Sequence, residues 1–116
     1  MDALVISVAR TPASRLRGLL GRRALPPGHR LLLVRAASIH TCGMRFAIDA
    51  VFLDRDGRVL LIAADLPPWR LASCRGAAGV LELAAGQCAA LGLRAGDTVP
   101  LPAALSRRRR RRRTSA

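Results

Sequence analysis

The sequence predicts a small, mainly β single domain of the barrel or sandwich-like type, α+β in detail because one or two short helices accompany the strands. The chain has 116 residues, which suits one domain and is too short for two hydrophobic cores. Hydrophobic residues make up 51% of it, enough to build a core. Short β-type runs alternate with Gly, Pro and Asp turn signals. We place this domain at residues 1–102 and a disordered arginine-rich tail at 103–116.

The first third of the chain predicts a strand, a short helix and a second strand. Residues 3–9 are rich in Val and Ile, as strands are. A helix is expected to begin at Thr11 as N-cap and Pro12 as first helical residue, and to stop at Gly21. After a Pro-Pro-Gly turn at 26–28, four consecutive apolar residues predict a buried strand over 30–36.

If residues 38–49 are extended, successive side chains alternate between two faces. One face would carry His40, Cys42, Met44, Phe46 and Ile48, and the other Thr41, Arg45 and Asp49. Two strands, 50–53 and 58–62, follow as a hairpin closed by Gly57 at positive φ. The connection Asp54-x-Asp56-Gly57 also resembles the start of a calcium loop, but the later glutamate is absent, which favours a tight turn.

The remaining elements are shorter. Residues 66–70 contain two prolines and the only tryptophan, which predicts a loop or an edge. We expect a strand over 79–83, a helical turn over 87–91 before Gly92, and a last strand over 98–101 after a turn at 96–97.

Several short motifs occur in order along residues 8–101. They are RGLLGR at 17–22, HTxGMRFxID at 40–49 with VFLD at 51–54, PWR at 68–70, VLEL at 80–83, Gly86, LGL at 91–93 and GD at 96–97. Together they resemble the domain-of-unknown-function family DUF192, also called uncharacterised conserved region proteins. The resemblance implies a compact β-barrel or sandwich-like domain and no established reaction.

The chain departs from the family pattern at three positions. Cys42 stands where an aromatic residue is common, and Ala47 and Ala84 stand where proline is common. These differences concern local loops rather than the fold. Many relatives are exported, whereas residues 1–10 lack a basic n-region and are too short for a secretory apolar region. No apolar run reaches the length of a membrane span, so a cytoplasmic location is expected.

The net charge of +13 is concentrated near the C-terminus. Seven adjacent arginines lie there: Arg107, Arg108, Arg109, Arg110, Arg111, Arg112 and Arg113. Such a run repels itself and stays extended. It could bind nucleic-acid phosphates or anionic lipid weakly and in a salt-sensitive way, or be an incidental low-complexity end.

Asp49 is the leading candidate for a functional residue. A carboxylate beside an apolar strand, near His40 and Arg45 in sequence, could bind a polar ligand or orient an imidazole. The alternative is that Asp49 caps a turn or pairs with an arginine. His40 could shuttle a proton, although a single strand histidine more often packs or forms a structural hydrogen bond.

A metal site is a weaker hypothesis. His40 and Cys42 could each offer one ligand, completed by Cys74 or Cys88. The three cysteines suit neither a disulfide framework nor a paired zinc set, so they are interpreted as free thiols. We therefore expect no metal and no cofactor.

Trp69 and Arg70 could form a stacking platform for a sugar or base, or Trp69 could be a lid over one end of the domain. Glu82, inside an apolar strand, needs a partner, for which an arginine is the simplest choice.

The candidate ligand-binding residues are His40, Met44, Arg45, Asp49, Trp69 and Arg70. The leading hypothesis is a non-catalytic accessory domain that binds a small polar ligand or a protein partner, since no nucleophile and base form an evident set. The alternatives are a hydrolase or lyase that uses Asp49 or His40, and non-specific nucleic-acid binding through the arginine tail.

Overall fold

The computed structural model describes residues 5–9 and 29–100, and the side chains from residue 30 onward. This part of the chain contains seven strands and one helix. They are β1 Val5–Ala9, β2 His29–Val34, β3 Ser38–His40, β4 Ile48–Leu53, β5 Val59–Leu66, β6 Leu71–Ser73, β7 Gly79–Ala84 and α1 Gln87–Leu91. The mainly β prediction with a short helix is confirmed. The helix predicted at 11–21, the turn at 26–28 and the tail at 103–116 lie outside the described residues.

Five strands form one mixed sheet in the order β1-β2-β7-β4-β5. β1 runs parallel to β2, and the other neighbours are antiparallel. The described strands do not close into a barrel, because β1 and β5 stand at opposite ends of this order. The middle strands are covered on both faces, which explains their nearly continuous apolar sequences. Leu81 of β7, for example, lies between Leu32 of β2 and Val51 of β4.

The first face of the sheet packs against a separate two-stranded sheet made of β3 and β6. Its core consists of Leu31, Leu33, Ala36, Ile39, Met44, Ile48, Ala50, Phe52 and Val80. Ile39 at the centre of β3 is 2% exposed, and Ala72 opposite it on β6 packs against the same cluster. The outward side chains of β3 and β6 are therefore left facing solvent.

The second face packs against α1 and the segment that follows it. Its core consists of Leu32, Val51, Leu53, Val59, Leu81, Leu83, Cys88 and Val99, with Leu93 packed against it. Two glycines in the left-handed region, Gly86 and Gly92, bound the helix and confirm the predicted turn over 87–91. Residues 29–100 thus form three layers, with the main sheet in the middle.

The predicted β4–β5 hairpin is confirmed. Gly57 has φ 83°, and its N–H donates to the Asp54 carbonyl at 3.1 Å. The Asp54 Oδ1 atom accepts the N–H groups of Asp56 at 2.8 Å and Arg58 at 2.9 Å. A side chain that caps its own turn in this way is typical of an Asx turn, so the tight-turn interpretation holds.

Two segments differ from the extended conformation considered for them from the sequence. Residues 38–49 are not continuously extended: β3 ends at His40, Gly43 adopts φ 82°, and the Met44 N–H turns back to the Thr41 carbonyl at 3.2 Å. Within residues 98–100 there is no strand either, only a single bridge from Thr98 to Arg58. Pro100 has no N–H to extend that ladder. No helix within residues 5–9 and 29–100 is long and apolar enough to cross a membrane.

Candidate functional site

Thr41 holds the proline-rich loop at residues 67–70 in place. Its Oγ1 atom donates to the Pro67 carbonyl at 2.7 Å and accepts the Arg70 N–H at 2.8 Å. Its own N–H donates to the Arg70 carbonyl at 2.9 Å, and its carbonyl accepts the Trp69 N–H at 3.1 Å. Thr41 is fully buried. One side chain thus satisfies several backbone groups of a loop that cannot pair with a sheet, because prolines lack the N–H donor.

Trp69 is presented to solvent by this loop. The side chain is 67% exposed, and the residue has φ 63°, in the left-handed region. A bulky side chain is uncommon in that region, and such strain persists only where surrounding contacts impose it. Here the contacts come from Thr41 on one side and from the Arg70 guanidinium, which donates to the Trp69 carbonyl at 3.3 Å, on the other. The sequence analysis offered a second possibility, that Trp69 is a lid over one end of the domain. A side chain with this exposure does not fit that role.

The outward face of the small sheet continues this exposed region. His40 of β3 and Leu71 of β6 lie directly opposite each other, and both are exposed. Leu71 is 75% exposed, the highest value among the large apolar side chains of the described residues. Directly opposed residues have Cβ atoms about 5 Å apart, so the two side chains are neighbours. We call the surface formed by His40, Trp69, Arg70 and Leu71 the Trp69 surface.

Asp49 lies away from the Trp69 surface. Its neighbours on β4, Ile48 and Ala50, face the core beneath β3 and β6, so Asp49 faces the α1 side. The side chain is 1% exposed. The Oδ1 atom accepts the Asp65 N–H at 2.8 Å, and the Oδ2 atom accepts the Cys88 N–H at 2.9 Å. Asp49 therefore joins the end of β5 to the first turn of α1.

These hydrogen bonds decide the protonation of Asp49. Burial by itself raises the pKa of the carboxyl, but N–H groups of Asp65, Cys88 and Gly86 and the Cys88 thiol donate to it, and the pKa ends below its usual value. Burial raises the pKa of the Cys88 thiol to about 12, and the adjacent Asp49 carboxylate contributes to that rise. The pair is thus a buried carboxylate with a neutral thiol.

The other residues singled out from the sequence are also either buried or exposed. Met44 is buried in the first core, with 7% of its side chain exposed. Arg45 is exposed and lies in the loop, residues 41–47, that also carries Thr41. Glu82 is 3% exposed in the middle of β7, and its pairing with an arginine stays a prediction. His40, Trp69 and Arg70 are exposed on neighbouring segments of the small sheet, whereas Met44 and Asp49 are buried.

The metal hypothesis depended on two ligands that point the same way on one strand. His40 ends β3 and Cys42 lies in the following turn, so that geometry is wrong. Cys88 belongs to the second core, across the sheet from β3. Among the described side chains, no three His, Cys, Asp or Glu residues are grouped so that they could hold a metal ion.

Sequence reasoning missed Thr41 and Leu71. Thr41 was assigned to a strand face, and nothing local indicates that its hydroxyl reaches residues 26 and 29 positions further along. Leu71 belongs to a three-residue strand, too short for a periodic pattern. The sequence signal that could have identified both is the proline pair: a loop without N–H donors needs a polar anchor elsewhere in the chain.

Comparison with known proteins shows what the chain is similar to. It shares 29% identity and a TM-score of 0.74 with a protein of unknown function from Novosphingobium aromaticivorans, covering 83% of this chain and 74% of that one. A proposed transcription regulator from Sinorhizobium meliloti gives the same identity and TM-score, over 82% of this chain and 79% of that one. No curated protein matches significantly.

The sequence profile of DUF192, described as Uncharacterized ACR, matches residues 2–101. That match includes every described strand and α1, together with the Trp69 surface and Asp49. The chain therefore belongs to the DUF192 family.

Proposed function

We propose that this domain is a non-catalytic binding module that captures its partner on the Trp69 surface. The observation that carries the proposal is the position of Trp69, which is 67% exposed on a strained loop that Thr41 holds in place. Residues with strained backbone conformations tend to cluster at functional sites. Tryptophan and arginine are also the residue types that contribute most to binding energy at interfaces.

The anchoring of the loop supports binding rather than simple exposure. A flexible loop loses conformational entropy when it binds, whereas a loop already held by hydrogen bonds loses less. Thr41 engages backbone groups of Pro67, Trp69 and Arg70, so the backbone that carries the indole is held in place before any partner arrives. The neighbouring Leu71 adds an exposed apolar side chain to the same surface.

The properties of Asp49 argue against the hydrolase or lyase alternative. A carboxyl group that serves as general acid or base near neutral pH usually has a raised pKa and reaches the substrate. Asp49 has a lowered pKa and is 1% exposed, with both oxygens accepting backbone hydrogen bonds. These features are those of a structural anchor, so we assign Asp49 to the fold and leave it out of the binding surface.

Tryptophan fluorescence tests this proposal directly, because Trp69 is the only tryptophan of the chain. The full chain is titrated with saccharides, nucleotides, peptides and lipid vesicles while the emission of Trp69 and the melting temperature are recorded. We expect one class to change both. Leu71→Ser should weaken that response without lowering the melting temperature of the free protein.

A matched control uses Leu61, which is 42% exposed on β5, outside the Trp69 surface. Leu61→Ser should leave the response unchanged. The proposal is wrong if a ligand raises the melting temperature while the Trp69 emission and the Leu71→Ser affinity stay as they were, or if no class changes the emission.

A further inference from the structure

We infer that the partner of the Trp69 surface is an anionic lipid surface, onto which the domain docks with Trp69 and Leu71 entering the interfacial region. This inference rests on the proposed function and deepens it by naming the partner. Three features of the described chain support it: the charge of the two segments that build the surface, the two exposed apolar side chains, and the scarcity of exposed aromatic rings.

The segments that build the small sheet and its loops carry only positive charge. Residues 30–48 and 66–81 contain no Asp or Glu. Four arginines of these segments are exposed: Arg35, Arg45, Arg70 and Arg75. Arg35 and Arg75 lie near one end of the β3–β6 ladder, where the Arg35 N–H donates to the Ala78 carbonyl close to the turn that carries Arg75. Arg45 and Arg70 lie near the other end. Asp65, just before the second segment, is the exposed acid nearest in sequence. A surface of this composition attracts negative charge.

The same surface carries two exposed apolar side chains. Trp69 and Leu71 are 67% and 75% exposed, more than any other large apolar side chain of the described residues. Tryptophan is enriched where lipid headgroups meet acyl chains, because its ring is amphipathic. An aliphatic side chain beside it gains by leaving water for the acyl region. Basic residues around a small apolar tip are the combination by which proteins attach to anionic membranes.

Nucleic acid suits these side chains less well. Binding to single strands relies on several aromatic rings on which bases stack. The two phenylalanines are not available for stacking, since Phe52 is fully buried and Phe46 is half-buried in the first core. Leu71, the most exposed apolar residue, offers nothing to a phosphate or a base edge. A lipid surface uses both Leu71 and the arginines.

The seven arginines at 107–113 would add charge attraction to the same membrane. Two weak signals, one apolar and one basic, are what stable but reversible attachment requires. The tail cannot account for burial of Trp69, however, since charge attraction alone does not move an indole out of water. A change in Trp69 emission therefore distinguishes docking by the Trp69 surface from attachment by the tail, even when the full chain is used.

The test mixes the full-length protein with vesicles of phosphatidylcholine alone, or of equal parts phosphatidylcholine and phosphatidylglycerol. We expect a blue shift of Trp69 emission and protection from acrylamide only with the phosphatidylglycerol vesicles. Brominated acyl chains should quench the emission. Leu71→Ser should lower the partition coefficient about tenfold, corresponding to about 1.4 kcal/mol. Leu61→Ser should leave it unchanged.

Each other outcome overturns the inference. If vesicles bind while Trp69 emission stays unchanged, attachment is due to the tail alone. If Trp69 emission shifts equally with both vesicle types, the negative charge of the lipid plays no role. A Trp69 shift with oligothymidylate or an acidic peptide, but not with vesicles, would replace lipid as the partner and leave the proposed binding surface standing. If no probe shifts Trp69 emission, both the inference and the proposed function fail.

Discussion

The hydroxyl of Thr41 accepts the backbone N–H of Arg70 at 2.8 Å, across 29 residues of sequence. The same pair is joined a second time, because the Thr41 N–H donates to the Arg70 carbonyl at 2.9 Å. This relationship connects the loop after β3 to the loop before β6 and determines where Trp69 stands. The proposed function therefore depends on a residue that is itself fully buried.

Removing the hydroxyl of Thr41 should loosen the Trp69 loop. Thr41→Val keeps the shape of the side chain but leaves the Pro67 carbonyl and the Arg70 N–H without their partner. Leaving these partly buried groups unsatisfied costs about 1 kcal/mol, so the unfolding free energy should fall by about that amount in urea denaturation. The rate of acrylamide quenching of Trp69 should rise. Thr41→Ser, which retains the oxygen, is the control and should keep wild-type quenching. Equal quenching in Thr41→Val and Thr41→Ser would contradict the anchoring role.

Backbone strain at Trp69 can be measured by comparing two truncations. Trp69→Gly and Trp69→Ala both remove the exposed indole, but only glycine adopts φ 63° without penalty. We expect Trp69→Gly to be about 1 kcal/mol more stable than Trp69→Ala in equilibrium unfolding. A variant pair of equal stability would indicate that the positive φ is not maintained in solution.

Replacing Asp49 should damage the fold. Asp49→Ala leaves the buried Cys88 N–H and the partly buried Asp65 N–H unsatisfied, and we expect a loss of about 2–4 kcal/mol in unfolding free energy. A stability change below about 0.5 kcal/mol, the range of an ordinary surface substitution, would exclude a structural role.

The pH dependence of stability offers a second test of Asp49. Its pKa is lower in the folded protein than the ordinary value of 3.8, so the folded state binds fewer protons than the unfolded chain at acidic pH. The carboxylate thus stabilises the fold above that ordinary value, and the contribution is lost as the pH falls through the folded pKa. Asp49→Asn should lack this acid-dependent part. If the unfolding free energies of the variant and the wild type changed with pH in the same way between neutral and acidic pH, the assignment would be refuted.

Cys88 should be protected at alkaline pH. Its pKa is raised from 9.0 to about 12, so the folded state holds its proton longer than the unfolded chain. The stabilisation is complete below pH 9 and is lost as the pH rises towards 12. Iodoacetamide at mildly alkaline pH should modify the exposed Cys42 and spare Cys88 until the protein unfolds. Equal labelling of Cys42 and Cys88 in the folded protein, located by peptide mapping, would contradict this.

The sequence by itself was enough for some of the local structure. The β4–β5 hairpin followed from Asp54 and Gly57, because a tight turn is determined by the conformational preferences of a few adjacent residues. The helical turn before Gly92 and the interruption at the proline pair followed for the same reason. The arginine tail, the domain limits and the cytoplasmic location stay predictions from sequence.

Only the tertiary structure decided which polar residues face solvent. Asp49 and Arg45 share one face of an extended segment, but residues 41–47 form a loop, and Asp49 inside β4 is buried while Arg45 in the loop is exposed. Thr41, an ordinary residue in the sequence, proves to be the anchor of Trp69. Periodicity acts over a few residues, whereas burial depends on which distant strands cover a position. A sequence that indicates several of its turns therefore does not show which of its carboxylates and hydroxyls the fold will enclose.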